Sequence, residues 1–498
     1  MENGFAIIHA NRLEDLTALT VDWIKGQPLP PLVDDVFLVE SNGIAQWLRL
    51  ALADDAACGI AAAQQFQMPS RFLWQAYRSV LGEEQVPHTS PFDKSRLVWR
   101  LMRLLPSLSA DEAFLPLARF LADDTDLRKH YQLSERLADL YDQYQVYRAD
   151  WLTHWEQGHD SLPQANADSV PLNGQRWQAR LWRLLRDDMP ADQRDTSRAS
   201  IHARFLQALD HNRIAGTLPP RIIVFGISAL PQQTLEALHA LSGHCQILLL
   251  AQNPSEHYWG DIVEDRELLR RQQQRHAGKP SLAGLSADEL SMAANPLLAS
   301  WGKQGRDYIN LLYSYDVPER YQDWFQSIDV FTPPRPQDDT CAPLLRQLQQ
   351  DIFSLTNAAV DERRVREDGD DSLSFHVAHS RQREVEVLHD QLLDLFEKDS
   401  ALKARDIIVM VPDIQSYAPH VEAVFGGIAQ DDPRHIPYTL SDRSQQHTLP
   451  LAGALAQLLN APTLRFTVSD ILDLLDVAAI RQRFGIAASD LPLVRQWA

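Results

Sequence analysis

Glu40 and Asn42 follow the apolar run Val36-Phe37-Leu38-Val39, and Gln46 comes one helical turn later. Polar side chains placed just past a strand and at the head of a helix line the crevice in which parallel α/β sheets bind ligands. Farther along, Asp139, Asp142 and Gln143 recur at i, i+3 and i+4, and Arg148 stands where that helix should end. Such a stripe is either a solvated helix face or a row of hydrogen-bonding groups offered to a ligand. Trp74, beside Phe72, has two readings as well. It is a packed core residue or a platform on which an unpaired base stacks, the latter worth about 1–3 kcal/mol. Arginines recur from Arg176 to Arg186 and at Arg266, Arg270, Arg271 and Arg275, either as the polar side of amphipathic helices or as a phosphate channel.

Catalytic constellations are harder to find. A phosphate cradle needs a glycine-rich turn and a lysine after the first strand, yet that strand leads into His9-Ala10-Asn11-Arg12-Leu13. The pairs Gly278-Lys279 and Gly302-Lys303 have Gln273 and Leu297 where the leading glycine belongs, and continue into Pro280 and Gln304. An acidic pair to hold magnesium should end an apolar strand, but Arg221 to Phe225 runs into Gly226-Ile227-Ser228. A nucleophile elbow around Ser228 lacks its second glycine, because Leu230 and Pro231 stand there. His376 and His379, at i and i+3 of an extended stretch, would point to opposite faces and read as separate structural histidines rather than a metal pair. No catalytic residue and no metal site is assigned.

The elements that position these residues follow from hydrophobic periodicity. Phe5 to His9 reads as a strand, Asn11 as the cap of a helix carrying Leu13, Leu16, Thr20, Trp23 and Ile24 on one face, and Val36 to Val39 as a second strand. From about Phe72 to Leu209 the strand signal disappears and helical segments dominate, among them Leu97 to Leu105, Leu133 to Tyr147 and Trp177 to Arg186. Strands return at Arg221 to Phe225 and Gln246 to Leu250. The reading is an α/β domain over 1–70 and 210–356, interrupted by a helical insertion over 71–209. A charge-dense linker over 357–371 leads into a second α/β domain over 372–498, with strands at Leu373 to Val377, Ile407 to Val411 and Pro437 to Leu440. Alternation of strands and helices implies a mainly parallel sheet. The chain stops at Leu493 to Ala498 with no capping signal or tail, so the second domain reads as truncated.

The 498 residues carry 47 Lys+Arg against 67 Asp+Glu, a formal charge of −20, with 45% apolar and 23% charged residues. That is globular composition, long enough for about three domains. So acidic a chain repels phosphate at long range and is unsuited to coating nucleic acid indiscriminately. Three scattered cysteines, Cys58, Cys245 and Cys341, argue for a reducing compartment, and no apolar run approaches a spanning length. A cytoplasmic protein without membrane contact is expected. An α/β domain with a helical insertion followed by a second α/β domain is also the layout of a two-lobed nucleic-acid motor, here without its ATP site.

Several strings carry a resemblance to a known family. They include Gly43-Ile44-Ala45-Gln46-Trp47-Leu48, Asp139-Leu140-Tyr141-Asp142-Gln143-Tyr144 with Val146-Tyr147-Arg148, Gly226 to Pro231, Tyr258 to Ile262, Asn295 to Lys303 and Gln382 to Asp390. In this order they resemble the RecC family, the gamma subunits of the bacterial RecBCD helicase and nuclease (exonuclease V). The resemblance implies a degenerate superfamily 1 helicase-like fold and a non-catalytic subunit, in double-strand break repair by homologous recombination. Its partners would be RecB-like helicase/nuclease and RecD-like helicase subunits, with double-stranded DNA ends and single-stranded DNA. No cofactor is implied for this chain; ATP and Mg2+ would be used by the partners. The family splits the duplex, guides the strands through channels and reads the hotspot sequence Chi as single-stranded bases. Carried over residue by residue, the Chi-reading positions fall on Glu40, Asn42, Gln46, Met68, Trp74, Asp139, Leu140, Asp142, Arg148 and Arg198. Glu40 replaces a glutamine of the family pattern, Asn42 a threonine and Met68 an aliphatic residue. Glutamate accepts hydrogen bonds but donates none, so the sequence read would differ or be held less tightly. An autonomous ATP-dependent helicase and a purely architectural scaffold are the competing readings.

Overall fold

A computed structural model describes residues 3–108, 111–164, 167–172, 174–260, 262, 295–317, 324, 330–334, 342–356, 368–441, 449–463 and 465–497. The chain divides into two compact units, Met1–Ser372 and Leu373–Ala498.

The first unit is built on a five-stranded sheet whose paired strands are all parallel. Its strands are β1 (Gly4–Ala10), β2 (Asp35–Leu38), β3 (Gln64–Gln67), β6 (Arg221–Phe225) and β7 (Gln246–Gln252), in the spatial order β1-β7-β6-β2-β3. Continuous apolar runs form β1, β6 and β7 because both faces of the sheet are covered. Residues alternate accordingly: Ala6, Ile8, Phe37, Ile223 and Leu248 pack with α1 (Leu13–Gly26) and α2 (Asn42–Ala53) on one side. Phe5, Ile7, Val36, Leu38, Ile222 and Leu249 pack on the other side with α3 (Pro69–Leu81), α9 (Arg198–Asp210) and α10 (Gln232–Leu241). After β2 the chain crosses to β3, and after β6 it crosses the opposite way to β7. The adjacent carboxyl ends of β2 and β6 therefore open into a crevice between loops leaving on opposite faces, the place where such sheets bind ligands.

A separate core holds the helical insertion, made of α4 (Lys94–Leu108), α5 (Leu115–Leu121), α6 (Arg128–Tyr147), α7 (Ala149–Glu156) and α8 (Arg176–Asp187). Leu97, Leu101, Leu137, Tyr141, Trp155, Trp182 and Leu185 fill it. Between α7 and α8 lies a hairpin, β4 (Ser161–Gln164) with β5 (Ala167–Pro171), in a stretch whose sequence shows no strand signal. Strand β3 is equally silent, because Gln64-Gln65-Phe66-Gln67 is a polar edge strand defined by its ladder with β2. Asn11 does not cap α1. That helix starts from Arg12 without a side-chain cap. Asn11 instead holds Thr332 through two hydrogen bonds, of 2.8 and 2.9 Å.

The second unit packs the helices Arg381–Lys398 and Ile414–Val424 around Val385, Leu392, Phe425 and Ile436. Four short helices follow, from Pro450–Asn460 to Leu491–Trp497. The three stretches read from sequence as strands lie outside any strand, so among the described residues the α/β character rests on the first unit. β-rich composition makes a strand only where a ladder partner exists, and here Val377, Ile408 and Met410 are at least 83% exposed. Of the linker expected over 357–371, residues 357–367 lie outside the described set, and Asp370 accepts from the Leu344 amide at 2.7 Å. No described helix is long and apolar enough to cross a membrane.

Candidate functional site

Two clusters hold most of the residues singled out from sequence. The first lines the carboxyl edge of the sheet. Ser41 caps α2, its hydroxyl accepting from the Ile44 amide at 3.3 Å, which places exposed Asn42 and Gln46 one turn apart on the same helix. Glu40 just past β2 accepts from the Ser228 hydroxyl, 3.2 Å away in the loop after β6. Ser228 is thus a partner across the crevice. Met68 follows β3 and is 39% exposed at the same edge. Tyr308 is buried nearby, and burial together with Glu40 pushes its phenol well above the ordinary range.

Trp74 connects this edge to the insertion. It is half-buried, its indole N–H donates to the Pro87 carbonyl at 3.1 Å, and its ring meets Tyr77 edge-on at 6.1 Å. It is therefore a packed residue with a partly open face rather than a free-standing platform. Tyr77 lies 2.9 Å from His202 Nδ1, and His202 Nε2 lies 3.1 Å from Glu236. Burial drives the Tyr77 phenol above its ordinary range, while the bond to His202 holds Glu236 below the usual carboxylate range. This relay ties α3 and α9 to α10.

The second cluster is the groove between α4, α6 and α9. Lys94 pairs with Asp139 at 2.7 Å, and Gln143 donates to the other Asp139 oxygen at 3.1 Å. The hydrogen bond with Lys94 holds Asp139 below the ordinary aspartate range. Arg198 Nη2 lies between Asp93 at 3.3 Å and Asp142 at 3.4 Å. Desolvation pushes the Asp142 carboxyl above its ordinary value despite that arginine. Two adjoining cavities, of about 550 and 640 Å³, share Lys94 and Glu135 as lining. Asp139, Asp142 and Arg198 are thus brought together, and Lys94 and Asp93 join them without having been found from sequence. Leu140 is half-buried and lines neither cavity. Arg148 caps the end of α6, where it is bound to Asp150 through two hydrogen bonds of 3.1 and 2.8 Å and lies 3.9 Å over the Trp151 ring. No contact joins it to the Asp142 cluster among the described residues.

The arginine run of α8 is engaged in structure: Arg180 pairs with Asp111, Arg183 with Asp160 and Arg186 with Asp195, at 2.6–2.7 Å. Arg266, Arg270, Arg271 and Arg275 lie outside the described residues. At the end of β1, where a phosphate cradle would begin, a cavity of about 740 Å³ is lined by Asn11, Arg12, Gln252 and Thr332. No group of three metal-binding side chains occurs among the described residues.

A family model described as RecC, N-terminal domain, matches residues 5–355, and a second, the RecBCD enzyme subunit RecC fourth domain, matches 448–498. The chain is 40% identical to the RecBCD enzyme subunit RecC of Escherichia coli, over 99% of this chain and 44% of the relative. It is 37% identical to the subunit of the same name from Haemophilus influenzae, over 99% and 45%, and 29% identical to that of Mycolicibacterium smegmatis, over 98% and 42%. The chain spans less than half the length of these curated relatives.

Proposed function

The chain belongs to the RecC family, and from that premise we propose that it is a DNA-guiding, sequence-reading portion of a RecBCD complex, working beside RecB-like and RecD-like subunits. In this reading it hydrolyses nothing itself. ATP and Mg2+ act on the partner subunits, and the complex as a whole is the exodeoxyribonuclease and helicase of double-strand break repair. The strand enters as unpaired DNA, passes the crevice at Glu40, Asn42, Gln46 and Met68, and is inspected in the groove at Asp139, Asp142 and Arg198.

The observation that carries this reading is the convergence of Asp139, Asp142 and Arg198 on one groove, where Lys94 pairs with Asp139 and Arg198 faces both Asp93 and Asp142. With Glu135 added, carboxylates outnumber the cations lining the groove and give phosphate little net attraction. Carboxylates accept from base amino groups and arginine donates to guanine, so the groove is chemically suited to base edges. The loop after β1 further supports a subunit without its own motor, since Asn11 is committed to Thr332 and no glycine-rich turn follows.

The test is Chi-dependent attenuation of nuclease activity in the assembled complex. Asp142→Ala and Arg198→Ala should each abolish attenuation while leaving unwinding of an ordinary duplex intact. Gln46→Ala should weaken it. Unchanged attenuation in all three variants would leave only the scaffold reading, and ATP turnover by the isolated chain would revive the autonomous helicase.

A further inference from the structure

The groove carries two aromatic rings that its packing does not require. Helix α4 buries Leu97, Val98, Leu101 and Leu105 toward the insertion core, yet Trp99 on the same helix remains 66% exposed. Tyr131 on α6 is 42% exposed, and its ring centroid lies 6.1 Å from that of Trp99, the planes inclined by 51°. Both rings line the 550 Å³ cavity that also contains Asp142 and Arg198. Tryptophan and tyrosine left in water forgo the burial that normally stabilises them, which singles out surfaces that meet something else.

The polar groups of the same cavity are under-used. Asp142 Oδ1 has no hydrogen-bond donor among the described residues, and the Arg198 contacts of 3.3 and 3.4 Å are at the long end for a charge-assisted bond. Three carboxylates, Asp93, Glu135 and Asp142, line the cavity against Lys94 and Arg198, an excess that disfavours a phosphate. Aromatic faces, a partly exposed carboxylate and a guanidinium donor together match a flat heterocycle bearing amino and carbonyl groups.

We propose that Trp99 and Tyr131 form a stacking clamp for one unpaired base of a DNA single strand, holding its edge toward Asp142 and Arg198. The clamp rests on the strand-reading role proposed above and adds to it the residues that grip a base irrespective of its identity. Stacking is tolerant of sequence while the polar edge is selective, so the two functions divide between the rings and the charged pair.

The experiment uses the full assembled complex and a 3′-ended strand with 2-aminopurine at successive positions, its fluorescence reporting stacking locally. In the wild type one position should be quenched. Trp99→Ala should remove that quench and weaken binding of the strand by roughly tenfold, the scale of one lost base–aromatic stack, while Trp99→Phe should restore most of both. Tyr131→Ala should reduce the same quench. Equal quenching in wild type and Trp99→Ala at every position would overturn the clamp. Loss of complex assembly in Trp99→Ala would overturn it too, because the rings would then be holding protein. Failure of the underlying reading is separable. If Asp142→Ala, Arg198→Ala and Gln46→Ala all leave Chi-dependent attenuation intact while the Trp99 quench is present, sequence reading falls and the clamp stands. The converse result removes the clamp alone.

Discussion

Asp142 is a carboxylate pushed up by desolvation and only partly offset by Arg198, with Asp93 and Asp139 opposing its ionisation and Lys94 favouring it. Its raised pKa sets a pH dependence. Only the ionised form accepts from a base amino group at both oxygens, so on the proposed reading recognition is complete well above the folded pKa and is lost as pH falls through it. That loss should begin at a higher pH than an ordinary aspartate, near 3.8, would give. Attenuation measured against pH should therefore decline on the acid side in the wild type, and Asp142→Asn should be weak and flat across the same range. How much of this was legible depended on distance along the chain. Asp139 and Asp142 share a stripe because i and i+3 lie together on any helix. Asp93 and Lys94, some fifty residues earlier, reach that stripe only through packing of α4 on α6, which no local pattern encodes. Arg198 came from family resemblance alone, whereas Trp74 stood out beside Phe72 with core and stacking readings both open. Arg148 stood out at the expected end of the helix, and in the structure its neighbours Asp150 and Trp151 hold it there.

Among the elements, β2 and β6 are locked where they enter the sheet by a buried ion pair: Arg221 Nε and Nη2 donate to the two Asp35 oxygens at 2.6 and 3.1 Å, and Nη1 donates to the Gln27 carbonyl. The crevice at the far end of these strands depends on their relative register, so this pair acts on the site from the opposite edge of the sheet. Arg221→Ala would leave Asp35 buried without its partner and should cost about 3–5 kcal/mol in denaturant unfolding, against near zero for Arg128→Ala on the exposed start of α6. The Glu236–His202 contact gives a second stability signature. Because the folded pKa of Glu236 lies below its ordinary 4.5, its contribution is present above that value and disappears as pH falls through the folded pKa. Unfolding curves of His202→Phe should lose this acid-side decline. The apolar runs of β1, β2, β6 and β7 announced themselves in sequence, since strands buried on both faces need unbroken hydrophobicity. Polar β3 and the β4–β5 hairpin did not, being defined by pairing rather than composition. The stretches at Leu373 to Val377 and Ile407 to Val411 show the reverse case, strand-like composition with no ladder among the described residues.

At the scale of the whole molecule, the proposed reading asks a chain of net charge −20 to accompany DNA. On that reading the candidate groups sit in local recesses where cations face carboxylates, so that threading would be left to motors elsewhere and inspection to base edges. The parallel sheet keeps the topology that forms a ligand crevice at the ends of β2 and β6, while the loop after β1 is committed to Thr332. The path of the strand is then the decisive quantity. A photoreactive amino acid placed at Met68, on the sheet edge, or at Glu135, in the groove, of the full complex should cross-link to a translocating 3′-ended strand. The same probe at Leu32, exposed before the amino end of β2, should not. Cross-links from Leu32, or from neither Met68 nor Glu135, would contradict the claim that this frame passes an unwound strand across its crevice and groove.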